Sequence, residues 1–184
     1  MYTFAEASPD WPAAFAREAA VLRDLLGGEL VAVHHVGSTA VPGLAAKPII
    51  DLLPLVRSLT AVDARAPQFR AAGYLVRGEF GLPGRRYFTR DRDGFRTHNV
   101  HVYRYDDPGV ERHLAFCAYL RHDEAARREY EAVKRAAYAR HPADIEAYNA
   151  AKDAWVKQAE RRAVEWYRAG GGGYDGATPR PEDS

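Results

Sequence analysis

Apolar residues in the first third of the chain switch between two periods. Phe15, Ala19, Leu22 and Leu26 recur at three- and four-residue steps behind Asp10 and Pro12, which predicts a helix from about Asp10 to Gly27-Gly28. LVAVHHV then reads as a short strand over residues 30–36, and KPIIDLLPLV as a second strand, buried on both faces for part of its length. Between them GSTAVPGLAA is too rich in Gly and Pro for a long helix. Residues 60–72 suit a helix ending at Gly73, and YLVRG, RRYFTR and THNVHVYRY follow as strands separated by glycine turns.

From Asp107-Pro108 the pattern becomes helical. His113, Leu114, Cys117 and Leu120 recur at helical spacing, a fresh cap stands at Asp123, and that next helix should stop near His141-Pro142. A last helix is predicted from about Asp144 to Arg168, with Ile145, Tyr148, Trp155, Ala159 and Trp166 along one stripe. The expected fold class is therefore α/β (α+β): a small mixed sheet followed by a helical C-terminal half. One domain is expected over residues 1–169, and the Gly- and Pro-rich residues 170–184 are expected to be a disordered tail.

Charge narrows the function classes. Lys and Arg number 26 against 25 Asp and Glu, a formal charge of +1, so a general nucleic-acid coat or a membrane-surface protein is not expected. The single Cys117 excludes an intramolecular disulfide and a Cys-rich zinc module. With no apolar run of membrane-span length and no basic-then-apolar start, the reading is a soluble, cytoplasmic protein. Its oligomeric state cannot be read from the sequence.

The stretch HHVGSTAVPGLAAKPIIDLLPLV, residues 34–56, holds the most chemistry. A strand delivers Gly37, Ser38 and Thr39 into a turn, where glycine lets backbone approach a ligand and a hydroxyl beside backbone N–H groups suits phosphate. The next strand presents Asp51, a carboxylate placed to hold Mg²⁺ against that phosphate. On spacing alone, an ordinary turn followed by an isolated strand carboxylate is as good a reading. Lys47 sits where it reaches a phosphate from the end of the loop. Lys152 lies on the apolar stripe of the last helix beside Tyr148, where it either snorkels or faces a cleft. Six arginines between Arg77 and Arg96 face three acids, Glu79, Asp91 and Asp93, and Arg86 is the one singled out as an anion ligand. Alternation places His34 and His35 on opposite faces of their strand, and likewise His98 and His101; His35 is favoured for its nearness to the turn, with His98 a further candidate.

HVGSTAVPGLAAKPIIDLL closely resembles the signature of the GrpB family, and GRRYFTR, THNVHVY, ERHLAFCAYLR and EYEAVKRAAYARHPADIEAYNAAKDAWV resemble later segments of that family in order. The resemblance implies the nucleotidyltransferase-superfamily fold and a nucleotide or related phosphate compound as ligand. It also implies a relationship to a domain joined in some bacteria to dephospho-CoA kinase. On it rests the choice of His101 as a metal ligand or acid/base beside Asp51. Members of that superfamily carry two carboxylates one residue apart on this strand and a third on a neighbour, holding two metals. Here Leu52 and Leu53 follow Asp51, and THNVHVY offers histidines. The implied cofactor is a divalent metal, with Mg, Mn and Zn open, held by Asp51 and His101. The implied function is a nucleotidyltransferase-type transferase with an atypical carboxylate set. The alternative is a non-catalytic nucleotide- or CoA-precursor-binding module.

Overall fold

The computed structural model describes residues 3–171. Helix α1, Trp11–Leu26, starts behind Asp10 with a proline in its first turn and leads into β1, Leu30–Val36. A single 3₁₀ turn, Ser38–Ala40, and an irregular loop connect β1 to β2, Ile50–Val56. The helix expected over 60–72 is two helices, α2 (Leu59–Ala64) and α3 (Ala66–Ala71), broken at Arg65. Pro67 explains the break: lacking an N–H it cannot continue the ladder back to the Asp63 carbonyl, and it sits instead in the first turn of α3, where that N–H is not needed. Strands β3 (Tyr74–Val76), β4 (Arg86–Arg92) and β5 (Phe95–Arg104) follow, with β4 and β5 joined at Asp93-Gly94, both at positive φ as a tight hairpin requires. The last three helices are α4 (Pro108–His122), α5 (Glu124–Arg140) and α6 (Ile145–Trp166). Asp107, Asp123 and Asp144 cap them, each side chain accepting a backbone N–H of its own first turn.

The sheet has five strands in the order β1-β2-β5-β4-β3, with β2 and β5 parallel and the other pairs antiparallel. The expected class, a small mixed sheet followed by a helical half, is the one observed. One face of the sheet, with Leu52, Val56, Phe88, Val100 and Val102, packs on Ala19, Leu22 and Leu26 of α1 and on Phe69 of α3. The other face carries Val36, Leu53, Leu55 and Tyr103 against Val110 and Cys117 of α4. A third cluster joins Val41 and Leu44 of the β1–β2 loop to Leu120 of α4 and to Ala126 and Tyr130 of α5. Each fully buried leucine contributes about 1.5–3 kcal/mol, so the loop after β1 is clamped by its own apolar residues. That clamp leaves the mouth of the loop beside Asp51 facing α5 and α6. Among the described residues no helix is long and apolar enough to cross a membrane. The tail expected to be disordered lies, from residue 172 onward, outside the described residues.

Candidate functional site

Strand β1 ends at Val36, which pairs with Asp51 across the antiparallel ladder. The chain turns away at Gly37, with φ +73° and ψ −171°, a region essentially reserved for glycine. A Cβ at Gly37 would stand 3.0 Å from Asp51 Cγ and closer still to Oδ2, so this residue must be glycine for the carboxylate to keep its place.

Asp51 is oriented from the far side by β5. Its cross-strand partner is Asn99, whose Nδ2 donates to Asp51 Oδ1 at 2.8 Å. Asn99 Oδ1 accepts from the Tyr87 hydroxyl at 2.8 Å and from Arg96 Nη1 at 3.3 Å, so its NH₂ is the end that faces the carboxylate. His101 Nε2 lies 3.5 Å from the same Asp51 oxygen. Its Nδ1 is 3.4 Å from Arg85 Nη1. A guanidinium has only donors, so Nδ1 carries the lone pair and Nε2–H points at Asp51. Arg85 is itself buried and fixed by the carbonyls of Glu79 and Phe80. Burial acts to raise the Asp51 pKa. The His101 and Asn99 donors and the Lys47 charge outweigh it and hold the carboxylate below its ordinary range, ionised at neutral pH.

This turn and carboxylate open into a cavity of about 270 Å³ that also collects Lys47, Lys134 and Lys152. The lysines come from the loop before β2, from α5 and from α6. Lys134 is 1% exposed; its ammonium donates to the Ala45 carbonyl and stands 4.6 Å from the centre of the Tyr130 ring. Burial lowers its pKa to about 7, despite the opposing pull of Glu131, and the charges of Lys152 and Lys47 lower it too. Lys47 lies 4.8 Å over the Tyr148 ring, and its pKa falls to about 8 through burial and the Lys152 charge, opposed by Asp51. Lys152, 5.7 Å from the centre of that ring, is lowered by burial while Asp51 favours its charged form. Three ammonium groups thus share one cavity with one carboxylate. A bound anion would relieve their mutual repulsion while keeping them charged; without one, the repulsion and burial together favour loss of a proton.

Several residues expected at the site are here. Gly37, Ser38, Thr39, Lys47, Asp51, Tyr148 and Lys152 line the cavity, and His101 lies behind Asp51. Ser38 lies by the Tyr130 phenol, where it favours the ionised phenol against burial, which pushes the Tyr130 pKa up to about 12. Thr39 lines the wall, but its hydroxyl lies between His35 Nε2, at 3.0 Å, and the Ile49 carbonyl, at 3.4 Å. Others are elsewhere. With Val36 opposite Asp51, alternation puts His34 on that face and turns His35 away. His35 stacks on Phe15 of α1 with ring centres 4.7 Å apart, and its pKa falls to about 4 because burial outweighs the Asp51 charge. His98 is on that same far face, 3.8 Å from Glu18. Arg86 points away from the cavity and pairs in bidentate fashion with Asp63, at 2.6 and 2.8 Å. Its neighbour Arg85 is the one that reaches the Asp51 side of the sheet. Four residues of the site were not singled out from the sequence: Lys134, Asn99, Arg85 and Tyr130. Lys134 carried the same signal as Lys152, a lysine on the buried stripe Ala126, Tyr130, Ala137.

The expected divalent metal meets an unsuitable donor set. Among the described residues Asp51 is the one carboxylate lining the cavity, and three lysines share that lining with it. Hard cations take oxygen ligands, and a metal on His101 Nε2 would force Nδ1–H against the Arg85 guanidinium. Among the described residues no group of three or more His, Cys, Asp or Glu is placed to hold a metal ion. Asn99→Asp tests the point, because it puts a second carboxylate directly across from Asp51. The variant should gain a Mn²⁺-dependent rise in Tm that the parent protein lacks, read by thermal unfolding with Mn²⁺ and then with EDTA.

Comparison with known proteins agrees on the family. A family model described as GrpB protein matches residues 2–162. UPF0157 protein YqkA of Bacillus subtilis (strain 168) is 44% identical over 156 residues, covering 85% of this chain and 45% of that protein. A dephospho-CoA kinase of Mycolicibacterium paratuberculosis is 35% identical over 182 residues, again covering 45% of that protein. The chain therefore spans about half the length of these two relatives. UPF0157 protein BH1888 of Halalkalibacterium halodurans is 33% identical, with 88% of this chain and 82% of that protein covered. Among solved structures, that of the conserved protein GrpB from Enterococcus faecalis superposes with a TM-score of 0.86 at 41% identity, covering 90% of this chain and 99% of that one.

Proposed function

Because the chain belongs to the GrpB family, we propose that it binds a nucleotide-related phosphorylated ligand between the Gly37 turn and helices α5 and α6. The observation that carries the reading is the convergence of Lys47, Lys134 and Lys152 with Ser38 and Asp51 on one cavity. The ammonium groups neutralise the phosphates, in the place that a divalent cation would otherwise take, and the Ser38 hydroxyl adds a hydrogen bond. The rings of Tyr148 and Phe116 supply apolar wall for the rest of the ligand. Asp51, ionised and fixed by Asn99 and His101, is the group able to take a proton from an attacking hydroxyl in a transferase-type reaction. His101 acts through Asp51 as a positioning residue.

A second reading, a non-catalytic binding module, is favoured by one specific feature. The residue across from Asp51 is an amide, and the residue two places on is Leu53, so the carboxylate set of a two-metal transferase is incomplete.

Thermal unfolding with ATP, ADP and dephospho-CoA, in EDTA, tests the ligand class; dephospho-CoA is included because a relative is named for a kinase of that compound. At least one should raise Tm, and Lys47→Ala and Lys152→Ala should each reduce the rise. Asp51→Asn should leave binding intact or tighter, since it removes a negative charge from an anion site, while abolishing any transfer reaction. No shift with any of the three ligands would contradict the proposal.

A further inference from the structure

A second cavity, of about 500 Å³, opens on the opposite face of the sheet, between α1 and the ends of β4 and β5. Its floor is the carboxylate of Glu18, 5% exposed, which accepts from the Tyr74 hydroxyl and from Arg90 Nη1 at 2.9 and 3.0 Å. That carboxylate is therefore balanced within the floor. His98 stands beside it, with Nδ1 2.9 Å from Thr97 Oγ1. Burial keeps His98 below its ordinary pKa against the pull of Glu18, and the charges of Arg90, Arg92 and Arg17 add to the lowering.

At the rim, Arg17 of α1 and Arg92 of β4 face the opening. Among the described residues neither guanidinium is hydrogen-bonded or ion-paired. The other arginines of this region are engaged: Arg86 by Asp63, Arg90 by Glu18 and Arg96 by Asp91. The apolar part of the wall is made by Trp11, Ala14, Val21, Pro48 and Ile50, and Ser8, Thr97 and the Asp10 carboxylate complete the lining, so one further acid stands against the two rim guanidiniums.

We propose that this cavity is a second small-molecule site, taking an amphipathic oxyanion: a carboxylate or phosphate group held by Arg17 and Arg92, on an apolar body lying against Trp11. A guanidinium fork matches the two oxygens of either group, and a pair of forks around one oxyanion gives orientation as well as charge. An inorganic ion alone would leave the apolar wall uncovered, and a neutral apolar molecule would leave two guanidiniums unmatched. The volume is of the size that small-molecule sites use. The inference does not depend on the site at Asp51. Alternate residues of one segment serve the two cavities, Lys47 and Ile49 the first and Pro48 and Ile50 the second, so they share a wall but no side chain.

The chain has three tryptophans, so the indole N–H resonance of Trp11 is a local reporter. We would titrate the full ¹⁵N-labelled chain, in EDTA, with phenyl phosphate and separately with benzoate, probes that share a ring and differ in the oxyanion. The Trp11 resonance should shift saturably with at least one, and the stronger probe identifies the oxyanion. Arg17→Gln and Arg92→Gln together should weaken that binding by about tenfold or more. Both side chains are at an exposed rim, and unchanged Tm and circular dichroism would establish that the variant is folded. No saturable Trp11 shift with either probe, a shift unaffected by the double variant, or shifts confined to Trp155 beside the first cavity would overturn the proposal.

Discussion

Gly37→Ala should cost the protein about 2–4 kcal/mol of stability and lower its Tm by roughly 5–15 °C. Two effects add. The backbone at φ +73° and ψ −171° is strained for any residue with a Cβ. The new methyl would also collide with Asp51, which cannot retreat because Asn99 and His101 hold it from β5. Gly43→Ala is the control: φ is +77°, yet a Cβ there meets nothing within 4 Å, so its loss should stay near about 1 kcal/mol. Urea unfolding of the two variants separates backbone strain from displacement of the carboxylate. Equal losses would mean that Gly37 and Asp51 do not press on each other as described.

Lys134→Met should weaken binding of the phosphorylated ligand by roughly 30- to 100-fold, while changing how ligand-free stability depends on pH. The sign follows from proton counting. An unfolded lysine keeps its proton to about pH 10.4, whereas buried Lys134 gives it up near about pH 7 and Lys47 near about pH 8. Between those limits the unfolded chain binds more protons than the folded one, so stability rises with pH. Below the folded values both states are protonated and the full penalty of burying the ammonium groups is present. Ligand-free protein should therefore be more stable at about pH 9 than at about pH 7. Lys134→Met removes the largest part of that slope, and saturating ligand should oppose it by favouring the charged lysines. Urea unfolding at the two pH values reads the effect. A parent protein whose stability falls over this interval would contradict the placement of Lys134.

The outline of the site was legible in the sequence, and its handedness was not. A Gly-Ser turn between two strands fixes where backbone approaches Asp51, and the lysine in the stripe of α6 announces itself by interrupting apolar spacing. Which histidine and which arginine accompany Asp51 depends on cross-strand register, and a shift of one residue exchanges the faces. The register pairs Val36 with Asp51 and Tyr87 with His101. It therefore sends His35 and Arg86 to the α1 side and brings Arg85 behind His101. Lys134 escaped notice because its stripe is mostly alanine and its neighbours Glu129, Glu131 and Arg135 make α5 look like a solvated surface. Among the described residues none of the arginines between Arg77 and Arg96 lines the cavity, although Arg85 and Arg96 brace His101 and Asn99 behind Asp51. Arg86, Arg90 and Arg96 are paired with acids, and the positive charge at Asp51 comes from three lysines that are distant in sequence.

As proposed, the lysine-lined cavity holds phosphate without a metal ion. Isothermal titration of ADP into the full chain, in EDTA, at about pH 6.5 and about pH 9, tests it most directly. One ADP per chain should bind saturably, tighter at the lower pH and accompanied by proton uptake as Lys134 and Lys47 become charged. Binding that requires a divalent metal, or that strengthens as the pH rises, would contradict it.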